Sequence, residues 1–196
     1  CALAALLSER DPLPASGAGC DLMRRLDWLR APGRDPRRQQ LRQLQQQLLR
    51  QLEPQAAHPL RSEESLIAAE LVAHAYPERV ALAREGSPGR FLTRGGRGAL
   101  LHPTDPLLGC EALAIASADC AGADSRIQLA APLPRASLER LAEQAGSHHV
   151  QVSWDPELER VRSEREWRLG ALVLERHPWA EAVGPIVFAE DRKSVV

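Results

Sequence analysis

The feature that most constrains the fold is a change in hydrophobic periodicity at the segment Glu85-Gly86-Ser87-Pro88-Gly89. Before this segment, apolar residues recur with the spacing of amphipathic helices. After it, short apolar runs separated by turn residues are typical of strands. We therefore predict an α+β protein in which a small helical bundle, residues 1–86, precedes an OB-like, mostly antiparallel β-barrel domain, residues 87–180.

Two helices of the first half have clear sequence signals. Asp35 can cap the first of them, Pro36 suits its first turn, and Pro54 predicts its end. The second should begin near Ser62 and stop before Pro77, followed by a short helical turn through Val80 and Leu82. The predicted apolar stripes are Leu41, Leu44, Leu48, Leu49 and Leu52 on the first helix, and Ile67, Leu71, Val72 and Ala75 on the second.

The second half begins with a predicted β-hairpin. Gly95-Gly96 separates two candidate strands, and we expect a two-residue turn with positive φ at both glycines. Further strands and one short helix follow, and about five strands with an intervening helix favour an OB-like barrel. The candidate segments are Arg90–Arg94, Arg97–Leu101, Glu111–Ala118, Arg126–Ala131, the helix Ser137–Gln144, Val150–Trp154 and Val161–Leu174.

Composition and cysteine usage narrow the class of protein. The chain is 44% hydrophobic and 26% charged, and it contains no apolar run of the roughly 20 residues that span a bilayer. Its four cysteines lack a CxxC spacing, so we expect reduced thiols and a cytoplasmic protein, with a Cys110–Cys120 bridge as the alternative. Because Cys1 is not an initiator Met, we expect an internal fragment of a longer protein.

The order of several sequence segments resembles the region that follows the motor domains in bacterial DEAH-box ATP-dependent RNA helicases of the HrpB type. The resemblance covers roughly residues 1–180. Residues 181–196, including the single Lys of the chain, are discordant with it, and we treat them as a candidate artefactual tail. The segments that carry the resemblance are ALAALLSERDPL, CDLMRRLDWLR, AYPERVALAR, GRFLTRGGRGALLHPTDPL, SRIQLAAPL and VSWDPELERVRSEREWRLGALVLER.

The resemblance implies an accessory role for this region. It implies a ratchet-like bundle and an OB-like fold that grip single-stranded RNA, with DNA as an alternative, while absent RecA-like motor domains of the same chain hydrolyse ATP with Mg²⁺. The sequence contains no GxxxxGK[ST] phosphate-binding loop. We therefore expect the fragment to hold no cofactor and to be inactive as an ATPase alone, whereas the parent family is enzymatic.

Arginines supply the candidate nucleic-acid contacts, because their planar guanidinium groups suit phosphate. Phe91 is a candidate stacking surface for a base between them, with a place in the barrel interior as the alternative. Trp154 and Trp167 are predicted core residues, and a solvated charged face remains the alternative for each arginine group. The candidate contacts are Arg90, Phe91, Arg94 and Arg97 at the hairpin, Arg162, Arg165 and Arg168 in the last strands, and Arg37 and Arg38 in the bundle.

The sequence does not predict a metal site or a catalytic site. His148, His149 and His177 lack a completing acid or Cys, and neighbouring strand residues point to opposite faces, so no metal site is predicted. No catalytic set of side chains is recognised. The competing hypothesis is a protein-interaction adaptor without a nucleic-acid role, in which the arginines are irrelevant to RNA.

Overall fold

A computed structural model describes residues 1–13, 19–52, 64–119, 122, 124–157 and 160–179. The chain divides into two compact units, Cys1–Ser137 and Leu138–Val196. The predicted α+β class is confirmed, since helices precede a closed five-stranded barrel. The predicted domain boundary at residue 86 stays a prediction, and the discordant residues 181–196 lie outside the described residues.

Within the described residues, the first part of the chain contains four α-helices: α1 (Ala2–Ser8), α2 (Leu22–Arg30), α3 (Pro36–Gln51) and α4 (Glu64–Ala75). The Asp35 carboxylate accepts hydrogen bonds from the backbone N–H groups of Arg37 and Arg38, and Pro36 opens α3, which confirms the predicted helix start. The predicted helix signals at Pro54 and Ser62 lie outside the described residues. The bundle core contains Leu6, Leu26, Leu29 and Leu41.

The predicted buried stripe of α4 is wrong in part. Leu71 is 53% exposed and Ala75 is exposed, whereas Val72 is buried together with Ala68, Ala69 and Ala73. The helix is apolar around most of its circumference, so residue spacing alone does not select the buried face. Packing against β4 and β5 of the barrel selects it instead.

The barrel consists of β1 (Val80–Ala83), β2 (Arg90–Thr93), β3 (Gly98–Leu100), β4 (Ala112–Asp119) and β5 (Asp124–Pro132), in the order β1-β2-β3-β5-β4. Neighbours are antiparallel except for the parallel pair β3–β5. A 3-10 turn, Pro106–Gly109, lies between β3 and β4. This arrangement confirms the predicted OB-like barrel.

Two local predictions within the barrel are corrected. Val80 and Leu82 belong to strand β1 rather than to a helical turn, because β2 and β4 pair with both edges of this segment. The turn between β2 and β3 is a three-residue loop, since Thr93 N–H donates to Arg97 O and Gly96 N–H donates to Thr93 O. Of the two glycines, Gly96 has the positive φ, 84°.

The last strands do not extend the barrel. Helix α5 (Arg135–Ala145) begins in the first unit and continues into the second. The strands β6 (Ser147–Asp155), β7 (Arg160–Leu169) and β8 (Leu172–Pro178) then form a separate antiparallel sheet in the order β6-β7-β8. The expectation that they complete the barrel is therefore wrong, because five strands encoded before α5 already close it.

Two further predictions concern the Cys110–Cys120 bridge and the absence of a membrane-spanning segment. Cys110 carries a free thiol, and Cys120 lies outside the described residues. Within the described ranges, none of the helices combines the length and the apolar character needed to cross a bilayer.

Candidate nucleic-acid interface

Three barrel strands bring two arginines into one row on the outer surface. Arg90 on β2 lies opposite Leu100 on β3, and Leu100 lies opposite Arg126 on β5. Residues paired in this way project from the same face of a sheet. Arg90 and Arg126 are exposed and Leu100 is half-buried, so the row presents two guanidinium groups to solvent around a small apolar surface.

The alternation that turns Arg90 outward turns its neighbour inward. Phe91 is 1% exposed and packs in the barrel core with Ala99, Leu113 and Ile127. A nucleic-acid base cannot stack on a ring enclosed in this way. The prediction of Phe91 as a stacking surface is therefore wrong, and the alternative, a place in the barrel interior, is what the structure has.

The hairpin loop carries the other two predicted arginines of this region. Arg97 is exposed, and its Nη2 lies 3.5 Å from the carbonyl oxygen of Gly122. Arg94 is more enclosed, and its Nε lies 3.8 Å from a carboxylate oxygen of Glu78. Of this pair, Arg97 is the more accessible to a ligand.

Arg126 was not predicted from the sequence as a contact residue. The signal is present in the run Arg126-Ile127-Gln128-Leu129, where polar and apolar residues alternate and the polar ones are exposed. Neither Arg90 nor Arg126 forms an ion pair within the described ranges, although Asp119 on β4 is the register neighbour of Arg126. The guanidinium groups of this row are therefore available to a phosphate.

A cleft of about 630 Å³ adjoins the row at Arg126. Its lining contains cationic and hydrogen-bonding side chains. Charged and polar groups that converge on a concave surface suit a ligand that carries both phosphate and hydrogen-bonding edges. The polar lining residues are Arg24, His102, Thr104, Asp105, Arg126 and Gln128.

The wall of the cleft is held by the buried carboxylate of Asp105. One Asp105 oxygen accepts a hydrogen bond from Cys20 N–H at 2.7 Å, and the other accepts from Leu107 N–H at 2.9 Å. Cys20 in turn donates its thiol to Ile127 O at 2.9 Å, and its own carbonyl accepts from Ala130 N–H. This network fixes the segment before α2 against strand β5.

Burial raises the pKa of the Cys20 thiol to about 12, and the negative charge of Asp105 adds to the shift. Burial also raises the pKa of Cys110, with contributions from Asp21 and Asp105. Thiolates are the reactive form of cysteine, so both residues are expected to be poor nucleophiles. The cleft therefore offers binding groups rather than a catalytic thiol.

The two predicted arginines of the bundle differ in accessibility. Arg38 is 9% exposed, lies 4.6 Å from the centre of the Trp28 ring, and donates to Pro32 O at 3.0 Å. These contacts make Arg38 a packing residue of the bundle, and its prediction as a phosphate contact is wrong. Arg37 is exposed, and as a phosphate contact it stays a prediction.

The three arginines predicted in the last strands lie on opposite faces of the second sheet. Arg165 packs its guanidinium 4.9 Å from the centre of the Trp179 ring. Arg162 and Arg168, at even positions of the same strand, lie on the other face. The set is therefore not one continuous basic surface.

Acidic residues compensate the charges on that other face. Arg162 pairs with Glu164 at 2.7 Å. Arg168 and Arg176 both bind the carboxylate of Glu166, which is fully buried. Because a buried carboxylate needs such partners, the role of Arg168 in this cluster is to neutralise Glu166.

The predicted core tryptophans of this sheet also differ. Trp154 is 61% exposed, so its prediction as a core residue is wrong. Trp167 is half-buried and stacks on His148, with ring centres 6.4 Å apart. Across the ranges that the structure describes, no group of three or more His, Cys, Asp or Glu side chains is arranged to hold a metal ion.

Comparisons with known proteins were made for sequence families and for solved structures. The family described as "ATP-dependent RNA helicase HrpB, connector region" matches residues 149–179, which form most of the second sheet. No curated protein sequence matches the chain significantly.

Two solved structures share the fold. The crystal structure of the Escherichia coli DExH-box NTPase HrpB superposes with a TM-score of 0.69 and 28% identity, over 92% of this chain and 20% of that chain. A second crystal structure, of the E. coli DEAH/RHA helicase HrpB, gives a TM-score of 0.62 and 23% identity over the same shares. The chain thus spans about a fifth of the length of these relatives.

The family match covers a small part of the chain, and the structural match covers nearly all of it. The first rests on the second sheet, whereas the second extends over nearly all of the bundle, barrel and sheet. The expected order of bundle and OB-like barrel is also present. Taken together, these findings support a similarity of the chain to the C-terminal region of HrpB-type helicases.

Proposed function

We propose that this region holds single-stranded RNA on the outer face of the barrel while motor domains elsewhere in the parent helicase hydrolyse ATP. The observation that carries the proposal is the row formed by Arg90, Leu100 and Arg126, with both guanidinium groups exposed and unpaired in the described ranges. OB-like folds bind single strands on the face of strands β2 and β3. The name of the matching family supports RNA as the nucleic acid.

The strand would run from the hairpin toward the cleft. Arg97 stands at the hairpin end, Arg90 and Arg126 follow across the sheet, and Arg126 also lines the cleft. A phosphate at Arg126 would place the next nucleotide beside Gln128 and His102, which can donate or accept hydrogen bonds. The proposed RNA path therefore lies entirely within the first unit, Cys1–Ser137.

The chemistry of the row predicts the character of binding. Its side chains are two arginines around Leu100, and the aromatic residue of β2, Phe91, is enclosed in the core. Contacts to phosphate carry no sequence information, whereas contacts to the edges of bases do. We therefore expect weak, sequence-independent binding that falls steeply with salt.

The experiment is a titration of a fluorescein-labelled oligouridylate with the full chain, followed by anisotropy at several salt concentrations. Arg90→Glu and Arg126→Glu should each weaken binding at least about tenfold at low salt, since they replace a phosphate contact by a repulsive charge. Each should also lower the log-log salt slope by about 0.7 for a single strand.

The matched control is Arg50→Glu, which makes the same change of charge at an exposed position of helix α3. We expect a much smaller loss of affinity from this change, because Arg50 lies on a helix that packs on α1 and α2 rather than on the barrel. Equal losses for Arg50→Glu and Arg126→Glu would contradict the proposed path. Unchanged anisotropy of the wild-type mixture at low salt would contradict RNA binding itself.

A protein-interaction role is the second candidate. Leu49 and Leu71 are exposed by 40% and 53% and line a groove of about 620 Å³ in the bundle. Exposed apolar side chains around a groove are typical of contacts to another protein surface. If the arginine variants leave RNA binding unchanged while Leu49→Asp abolishes association with the motor domains, this adaptor role is favoured.

A further inference from the structure

Within the described part of the chain, the two terminal strands of the second sheet, β6 and β8, each pair with β7 alone. Strand β6 is one terminal strand in the order β6-β7-β8, and its pairing with β7 runs without a break from Ser147 to Asp155. A nine-residue edge strand presents a row of peptide N–H and C=O groups that another strand can pair with.

Strand β6 also lacks the features that usually protect an edge. Its sequence, Ser-His-His-Val-Gln-Val-Ser-Trp-Asp, contains no Lys and no Pro, and Asp155 is its single acidic residue. Its register with β7 has no bulge, in contrast to the shift between β7 and β8. Lys, Pro and bulges are the devices by which natural sheets prevent edge pairing.

The side chains of β6 are exposed along with its edge. Val150 is 46% exposed and Trp154 is 61% exposed, although both are apolar. They lie on the same face, since they are four residues apart in a strand. A partner for this strand must therefore satisfy peptide groups and cover apolar side chains at the same time. A β-strand does both, whereas RNA would leave the peptide groups of the edge without a partner in register.

The sequence of β6 is complementary to itself. If two copies pair antiparallel about a two-fold axis at Gln151, all nine residues of each strand find a partner. Val150 then lies opposite Val152 of the second copy, and His148 lies opposite Trp154 of the second copy. Asp155 faces Ser147, so like charges do not meet. Aromatic and β-branched pairs of this kind stabilise antiparallel sheets.

We propose that β6 pairs with β6 of a second copy of this chain, so that two three-stranded sheets join into one six-stranded sheet. The partner is the same strand in antiparallel orientation, centred on Gln151. This pairing uses the second unit only and is independent of the RNA-binding face proposed for the barrel.

A first test is the mass of the full chain in solution, measured by sedimentation equilibrium over a range of concentrations. We expect a reversible dimer, that is, twice the chain mass of 21.5 kDa. Val150→Lys should shift the chain to monomer because it puts a charge on the edge strand. A wild-type chain that stays monomeric up to its solubility limit would overturn the proposal.

Val161→Lys is the matched control. Val161 is 44% exposed and pairs with Trp154, but it lies on the central strand β7 rather than on the edge. We expect this variant to keep most of the dimer, with circular dichroism confirming that both variants are folded. If Val161→Lys dissociates the dimer and Val150→Lys does not, the copies stack face to face and the edge pairing is wrong.

A second test determines the register of the two paired β6 strands by disulfide crosslinking. Directly opposed residues of an antiparallel pair have Cα atoms about 4.5 to 5.5 Å apart, which a disulfide can bridge. Gln151→Cys should therefore give a covalent dimer under mild oxidation. Ser153→Cys should not, because its copies would be displaced by four residues, or about 14 Å. The unsubstituted chain gives the background from the native cysteines, and equal crosslinking of the two variants would overturn the register.

Discussion

At the scale of single residues, the buried carboxylate of Asp105 has the largest structural role in the candidate interface. It accepts hydrogen bonds from two backbone N–H groups that are separated by 87 positions in number, those of Cys20 and Leu107. Asp105 is 4% exposed, so water cannot easily replace these bonds. Its loss would leave buried donors without acceptors.

We expect Asp105→Ala to lower the free energy of unfolding by about 2 to 4 kcal/mol, since two hydrogen bonds are lost and the Cys20 N–H is left unsatisfied. Urea denaturation followed by circular dichroism measures this change. Asp27→Ala is the control, because Asp27 is largely exposed and its pair with Arg30 is 3.8 Å long. A difference below about 1 kcal/mol between the two variants would show that the network contributes little.

The raised pKa of the Cys20 thiol predicts that this residue is alkylated slowly in the folded chain. Since its pKa is about 12, against an ordinary value of 9.0, the folded chain keeps this thiol protonated at pH 8 to 9. Iodoacetamide should therefore alkylate Cys1 well before Cys20 in the native state, and mass spectrometry of the peptides measures the order. Rapid labelling of Cys20 in folded protein would contradict its burial.

The same shift fixes the direction of a pH effect on stability. A thiol whose pKa is higher in the folded state than in the unfolded state contributes stability that is fully present below pH 9. That contribution is lost as the pH rises from 9 toward 12. Alkaline conditions should therefore weaken the attachment of the Cys20 segment to β5.

At the scale of elements, the predicted position of the β2–β3 turn is correct, whereas its predicted two-residue length is wrong. The glycine pair predicted the position of the turn, but the loop has three residues and the positive φ falls on Gly96 alone of the two. A side chain at a positive φ costs about 1 to 2 kcal/mol. The two glycines therefore differ in what they tolerate.

We expect Gly96→Ala to destabilise the chain by about 1 kcal/mol more than Gly95→Ala. A Cβ at Gly95 would lie 3.2 Å from a carboxylate oxygen of Glu78, the end of a flexible side chain that can move away. Thermal unfolding of both variants supplies the comparison. Because the hairpin holds Arg97, the less stable variant should also bind the oligouridylate more weakly.

The short length of β1 explains why its conformation was predicted incorrectly. The run Val80-Ala81-Leu82-Ala83 is apolar throughout, so four residues could not distinguish a strand from a helical turn. Its partners in β4 begin at Ala112, about thirty positions later, and this distant pairing decides the conformation. By contrast, the start of α3 was predictable because Asp35 and Pro36 act within one turn of the chain.

In the candidate site, too, pairing between distant segments of the chain could not be predicted from the sequence. Arg90 and Arg97 were predictable as exposed cations near a turn, whereas Arg126 became a neighbour of Arg90 only through the parallel pair of β3 and β5. Trp154 was assigned to the wrong environment and Phe91 was left between two, since spacing gives the two faces of a strand but not which of them is covered. Burial is decided by the other elements.

At the scale of the whole molecule, the two proposals concern different units. The first unit holds the bundle, the barrel, the arginine row and the cleft, whereas the second holds the sheet that contains β6. The RNA proposal and the pairing proposal can thus fail independently. Variants at Arg126 test the first without touching β6, and variants at Val150 test the second without touching the barrel.

The parallel pairing of β3 with β5 has a consequence for biosynthesis. Strand β3 ends at Leu100, but its second partner, β5, ends only at Pro132. Strand β1 is likewise synthesised before its partner β4. At about 5 to 20 residues per second, a ribosome needs roughly 2 to 6 seconds to supply the missing residues. During that interval the Phe91 ring lacks most of its enclosure, so the nascent hairpin exposes an apolar segment to which a chaperone could bind.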